Sequence, residues 1–442
     1  MTLPASDTLF VTPAMAEIFS AHALVRQMLR FESAHARAEA RAGVIPKEAA
    51  DAIVSACSAD DFDPSAIVAE SVTAGTPAIP LVRLLTERVD PAARGWVHWG
   101  ATSQDAVDTA IVLQMRDGLD LLTAELRAIG PRAAELADRH RYAVMAGRTL
   151  LQHASPVTFG LKAARWLALV VRQIKALDAL RPEALALQLG GAVGTLAALG
   201  DAGPEVVDRV AEDLGLFKPE LPWHAERDRI ARIAATVGIV AGAMSKIAGD
   251  LVRLAQTEVG EIASGKGGSS AMPQKRNPVD AMSAVASARL ALATVPMLLD
   301  SGAHEHERAA GAWQAEWVAI PRLFGHTASA VAHVRRALDE LEVHPDRMTT
   351  NLQLDGGALM SEALGTALAV HLGRVEAQEL ARVVSARAAQ AHITLRAAAA
   401  EEPRITAVMD ADDLSRTLNP SRFLGSSDDF IDRALGAFGR IS

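Results

Sequence analysis

The chain has 442 residues, half of them hydrophobic, with 4% aromatic and 22% charged side chains and a formal net charge of -9. That length exceeds one ordinary core and predicts two or three domains. The acidic balance gives no electrostatic reason to expect nucleic acid or an anionic membrane as a partner.

Abundant Ala and Leu with few aromatics lean the chain towards helix. Residues 1–10 lack a basic patch followed by an apolar run, so no secretory signal is visible. The single cysteine, Cys57, excludes an intramolecular disulfide framework and fits a reducing, cytoplasmic setting, and its Ala- and Asp-rich surroundings read it as packing. A helix is predicted over 104–129, preceded by the capping hydroxyls of Thr102 and Ser103, and another over 158–180. Residues 226–262 run without proline. Their apolar positions Ile230, Ile233, Val237, Val240, Met244, Ile247, Leu251 and Leu254 recur at steps of three and four, one stripe along a single long helix. The most apolar part, 233–244, is well below the ~20 residues that span a bilayer. Further helices are predicted over 279–299, opened by the cap Asn277-Pro278, and over 313–341. Gly130-Pro131 and Arg181-Pro182 read as joints between helices. The pattern predicts an all-α fold, with a central long-helix bundle at 105–343 between smaller helical domains at 1–104 and 344–442. Helices with little polar circumference, as around Val237 and Val240, predict burial between subunits.

Four segments carry the chemistry. Residues 265–278 read Gly-Lys-Gly-Gly-Ser-Ser-Ala-Met-Pro-Gln-Lys-Arg-Asn-Pro, a glycine-rich loop ending at a capped helix. Its hydroxyls, lysine, asparagine and backbone N–H groups suit it to closing over a carboxylate. A phosphate-binding P-loop fails on context, since Gly267 stands where Ser or Thr must bind magnesium and a helix precedes it. The other three are 98–105, His-Trp-Gly-Ala-Thr-Ser-Gln-Asp; 147–156, Gly-Arg-Thr-Leu-Leu-Gln-His-Ala-Ser-Pro; and 306–317, His-Glu-Arg-Ala-Ala-Gly-Ala-Trp-Gln-Ala-Glu-Trp. His304-Glu305-His306-Glu307 invites a metal assignment. Residues two apart on a helix point about 200° from each other, so convergence on one ion, and hence a metal, is not expected. Gly190 to Thr195 has no dinucleotide-binding spacing and is read as a turn close to the cleft.

The run Gly-Ser-Ser-x-Met-Pro-x-Lys-x-Asn-Pro at 268–278 resembles, with no departure, the signature loop of the fumarase/aspartase superfamily. The resemblance implies that Ser269 is the general base, that Lys275 and Asn277 bind and polarise a substrate carboxylate, and that Ser270 and Met272 lie in the same binding loop. It implies likewise that Thr102, Ser103 and Gln104 bind a carboxylate at a helix N-terminus. The 147–156 segment resembles the second region of that superfamily, with Arg148 and Gln152 as further substrate contacts. It departs from the wider pattern in that Leu150 fills the place of the acid histidine and His153 follows three residues later. On a helix that step keeps nearly the same face. The displaced histidine resembles the carboxymuconate cycloisomerases. In the 306–317 run Arg308 matches the first phosphate-holding arginine of adenylosuccinate lyases, whereas Trp317 replaces the second. The resemblance implies reversible lactonisation of 3-carboxy-cis,cis-muconate in protocatechuate catabolism, with catalytic Ser269, His153 and Lys275 and with Arg308 as a further carboxylate clamp. It implies no cofactor, a small anionic tricarboxylate as ligand, and a homotetramer whose active sites are shared between subunits. Either Ser269 or His153 moves the proton at carbon. An adenylosuccinate lyase-like or other fumarate-releasing lyase is the nearer alternative; a non-enzymatic structural protein on the same scaffold is the more distant one.

Overall fold

The computed structural model describes residues 9–265, 267–268, 272 and 275–441. The fold is all-α, with four short strands among the described residues. Five long helices carry it: Ser103–Arg139, Phe159–Ala184, Asp228–Leu254, Val279–Asp300 and Ala312–Asp339. On Asp228–Leu254 the eight apolar positions expected from periodicity are all buried. At about 1.5–3 kcal/mol for each buried branched side chain, that stripe outweighs any helix propensity in holding the helix in place.

Val279–Asp300 is built the other way round. It buries the small residues Ala281, Ala284, Ala288 and Ala291, while Met282, Leu290, Leu292, Met297 and Leu299 are exposed. Both this helix and Asp228–Leu254 are long and apolar enough to cross a membrane by length and composition. Asp228–Leu254 spends its stripe on the core, and Val279–Asp300 carries the exposed Arg289 among its outward apolar residues.

Three local expectations are corrected. Pro131 and Pro182 lie inside Ser103–Arg139 and Phe159–Ala184 instead of joining separate helices. A proline removes one main-chain hydrogen bond, and packing on both flanks can carry the helix past it; at Gly130 the backbone lies so close to Phe438 that a Cβ would sit 2.1 Å from the ring. The helix expected over 226–262 covers only Asp228–Leu254, because Gly260 takes φ +60° and Ile262–Ser264 turns into a strand. Finally, the 147–156 segment is not helical: it forms most of a β-hairpin.

The described residues group into two compact units. The first comprises the chain up to Leu126 with Gln173–Ser245 and Ser283–His333. Its helix Ala21–Arg41, capped by the Ser20 side chain, buries Val25, Met28, Leu29 and Phe31. The second comprises Arg127–Arg172, Lys246–Met282 and the chain from Val334. It holds the antiparallel pairs β1 (Val144–Thr149) with β2 (Gln152–Thr158) and β3 (Ile262–Ser264) with β4 (Leu341–Val343). Its own core gathers Leu359, Leu364, Leu368, Leu380, Val384, Leu395, Ile405 and Leu414 from the C-terminal helices. Each unit thus draws on several stretches of chain, whereas the segments 1–104, 105–343 and 344–442 divide it linearly.

Candidate active site

In the first unit the site is built around the start of helix Ser103–Arg139. The expected hydroxyl caps are replaced by a carboxylate: Asp105 Oδ2 accepts the Thr102 N–H at 2.9 Å, the return half of a capping box. The Thr102 hydroxyl is thereby left for another partner and accepts from Arg308 Nη1 at 3.0 Å. Arg308 Nη2 also donates to the Ala192 carbonyl at 2.9 Å, so its guanidinium bridges the Thr102 loop and the 190–195 turn. That turn needs glycine at 191, where φ is +68° and a Cβ would meet the Gly100 carbonyl at 2.8 Å.

The Gln104 side chain is fully buried and donates to Asp108 Oδ2 and to the His224 carbonyl, supporting the loop from beneath. Below it lies a buried charge cluster. Arg227 donates to Asp108 Oδ2 at 2.7 Å and, through Nε, to Glu316 Oε1 at 3.1 Å. Burial acts to lower the Arg227 pKa, but the two carboxylates win and hold it above its usual value. Trp313 Nε1 donates to Asp108 at 2.8 Å and packs edge-to-face on Trp317 with centroids 4.7 Å apart. Nearby His98, at φ 58°, places Nδ1 2.7 Å from Glu32. Burial opposes its protonation, yet the Glu32 charge and hydrogen bond raise its pKa above the usual value.

In the 304–307 run, His304 and Glu305 turn to different partners. His304 Nδ1 lies 3.3 Å from the His224 carbonyl, whereas Glu305 Oε2 accepts the Ala310 N–H.

In the second unit, strand register places Arg148 opposite His153 and Thr149 opposite Gln152. The turn between them is Leu150-Leu151, both at positive φ and both exposed, the backbone signature of a type I′ hairpin turn. His153 therefore projects from a strand, not from a helix, so a three-residue helical step does not relate it to position 150. Its Nδ1 lies 3.9 Å from Asp355 Oδ2, and Asp355 is itself held by the Gly357 and Leu359 N–H groups at 3.0 Å. The Arg148 fork is engaged by the protein's own carboxylate, with Nη1 and Nη2 on Glu261 at 2.9 and 2.7 Å. Asn351 Nδ2 adds a bond to the same fully buried Glu261 at 2.9 Å. Arg148 therefore does not present a free fork to a substrate.

The signature loop enters at its stem. Gly267 and Asn277 pair as an antiparallel bridge, and Asn277 Nδ2 donates to the Gly268 carbonyl at 3.2 Å. Arg276 makes a bidentate pair with Glu342. Met272 and Lys275 are exposed, with the Lys275 N–H on the Met272 carbonyl. Ser269 and Ser270 lie outside the described residues.

Residues 10–289 match the protein family described as Lyase, and 357–434 match the adenylosuccinate lyase C-terminus. The chain belongs to the fumarase/aspartase superfamily of lyases. It is 43% identical over 436 residues to a 3-carboxy-cis,cis-muconate cycloisomerase of Pseudomonas aeruginosa, covering 97% of this chain and 95% of that one. A protein of the same name from Bradyrhizobium diazoefficiens is 43% identical over 423 residues, covering 94% of each. The solved 3-carboxy-cis,cis-muconate lactonizing enzyme of Pseudomonas putida superposes with a TM-score of 0.92 at 41% identity, covering 99% of both chains.

For this lyase, sequence reasoning missed the buried Asp105, Asp108, His224, Arg227 and Glu316 in one unit, and the buried Glu261 and half-buried Asp355 in the other. Asp105 lies within the 98–105 segment. His224, Arg227, Glu316 and Glu261 carry no local signal, because each finds its partner tens of residues away or more, whereas Asp108 and Asp355 also bond within four residues, to Gln104 and to Gly357 and Leu359.

Proposed function

We propose that this lyase interconverts 3-carboxy-cis,cis-muconate and a carboxymuconolactone. The observation that carries the reading is the 306–317 run, in which Arg308 is tied to the Thr102 loop while Trp317 packs on Trp313. An indole cannot ion-pair with phosphate, so this run suits a small carboxylate ligand and not a nucleotide. Near-full-length similarity to proteins named for the reaction supports the same conclusion.

In the lactonising direction one substrate carboxylate oxygen adds to a carbon of a conjugated double bond, forming the C–O bond. The displaced π pair moves towards the carbon beside a second carboxylate, giving an enediolate, and a proton is delivered to that carbon. No atom is lost, and the reverse is β-elimination of the internal carboxylate. The developing dianion needs fixed cationic and N–H donors, a role for Lys275, Asn277, Thr102, Ser103 and Arg308. Ser269 is the first choice for moving the proton, with backbone N–H groups and Lys275 stabilising its alkoxide; His153 is the second. The same reading makes the protein a cytoplasmic homotetramer with active sites built by more than one chain. The outward Met282, Leu290, Met297 and Leu299 support such association.

The test is the ultraviolet absorbance of 3-carboxy-cis,cis-muconate mixed with purified protein, beside an adenylosuccinate control. Loss of the diene signal, slowed about 10²-fold or more in Ser269→Ala, is the expected result. A silent diene with fumarate released in the control would move the substrate to the fumarate-forming branch. Turnover of neither would remove the enzymatic reading.

A further inference from the structure

Asp105 is fully buried, so it touches no substrate, yet its carboxylate accepts from five N–H donors. Oδ1 takes Gln188 Nε2 at 3.1 Å, the Gly190 N–H at 3.0 Å and His224 Nε2 at 2.7 Å. Oδ2 takes the Thr102 and Gly191 N–H groups, both at 2.9 Å. Capping the helix needs only the Thr102 bond. The other four donors gather two separate segments, 188–191 and 224, onto the helix start. Arg308 then joins the Thr102 hydroxyl to the Ala192 carbonyl, so the Thr102 loop and the 190–195 turn are tied once by an anion and once by a cation.

We propose that Asp105 is a positioning residue for carboxylate recognition, locking the Thr102 loop and the Gly190–Gly191 turn in the arrangement from which the Thr102 hydroxyl and the Arg308 guanidinium hold a substrate carboxylate. Arg308 has five N–H donors and spends two on these bonds, which leaves donors for a ligand. The proposal rests on the cycloisomerase reading for the identity of the substrate, but not for the anion chemistry. Asparagine has the shape of aspartate and one acceptor oxygen fewer. Whichever way its amide turns, the NH₂ group meets two or three N–H donors, and the segments they belong to must part.

The test compares Asp105→Asn, His224→Ala and His224→Gln, the last retaining a donor towards Asp105. Two quantities are read in each: KM and kcat with 3-carboxy-cis,cis-muconate, and the calorimetric Kd for propane-1,2,3-tricarboxylate, a non-reacting probe with three carboxylates. Asp105→Asn is expected to raise KM and Kd about tenfold or more with a smaller change in kcat, because binding is lost in ground and transition states alike. His224→Ala moves both in the same direction and His224→Gln recovers them. A purely structural role would lower kcat with the fraction of folded protein while leaving KM and Kd unchanged, and that result overturns the proposal. Where Asp105→Asn is not recovered folded, the His224 pair decides by the same criterion. Wild-type protein that binds the probe but leaves the muconate untouched would remove the cycloisomerase reading, and a weakened Kd in the variants would still sustain Asp105. Wild-type protein that binds no tricarboxylate would overturn both.

Discussion

Glu39→Gln probes the interior of the first unit. Glu39 is buried on helix Ala21–Arg41, 3.7 Å from His35 Nδ1, and among the described residues neither carboxylate oxygen has a hydrogen-bond partner. Burial, reinforced by the charge of Glu32, pushes its carboxyl up to about 9, while burial pushes His35 down to about 4. The pair that looks ionic by distance is therefore a contact of two uncharged groups at neutral pH. On unfolding, Glu39 returns to the ordinary value of 4.5. Between pH 4.5 and about 9 the folded state holds the extra proton, so stability is greatest below the unfolded value and declines as pH rises through this window. Linkage sets the loss between pH 5 and pH 8 at no more than about 4 kcal/mol. Glutamine keeps the shape of the protonated carboxyl and regains no ionisation on unfolding, so Glu39→Gln should gain on the wild type steadily across that range. Urea midpoints at matched protomer concentration and at pH 5, 6, 7 and 8 measure the gap. The titration of His35, which removes stability as pH falls from 6.5 towards 4, is present in both proteins. A gap that stays constant with pH would refute the assignment of a neutral Glu39.

Three further outcomes are expected. Arg148→Ala strands the buried Glu261 carboxylate and should destabilise the protein by about 3–5 kcal/mol, whereas Arg148→Met with Glu261→Leu should recover most of it; equal losses in both proteins would show that the ion pair is not the cause. If Asp355 orients His153 across 3.9 Å, Asp355→Asn should lower kcat about tenfold in the wild-type background and leave a His153→Ala protein unaffected, while an equal drop in both backgrounds would separate the two residues. Leu290→Lys with Met297→Lys, on the outward apolar face of Val279–Asp300, should reduce the sedimenting mass of the assembly; an unchanged mass would place the contact elsewhere.

The long helices were legible because an apolar stripe at steps of three and four is a local property, readable within one segment. That held for Asp228–Leu254 down to each buried position, and it failed only at the ends, where Gly260 and the pairing of β3 with β4 intervened. The signature loop was legible for a different reason, since a run of fixed residues at fixed spacing needs no partner to be seen. The hairpin of β1 and β2 was hidden. Its strands lack a clean alternation of apolar and polar residues, and its turn is Leu-Leu where an Asn-Gly would announce a reversal.

What the sequence by itself determined, then, was the helical class and the superfamily to which the 265–278 run points. Only the tertiary structure decided that Gln104 is buried, that the Arg148 fork is taken by Glu261, that His153 sits on a strand, and that Asp105 gathers donors from 102, 188–191 and 224. The physical reason differs between them: a buried polar or charged side chain must find partners, and Gln104 and Asp105 reach residue 224, and Arg148 reaches Glu261, about a hundred residues along the chain. The hairpin under His153 is local, and its irregular alternation and Leu-Leu turn hid it.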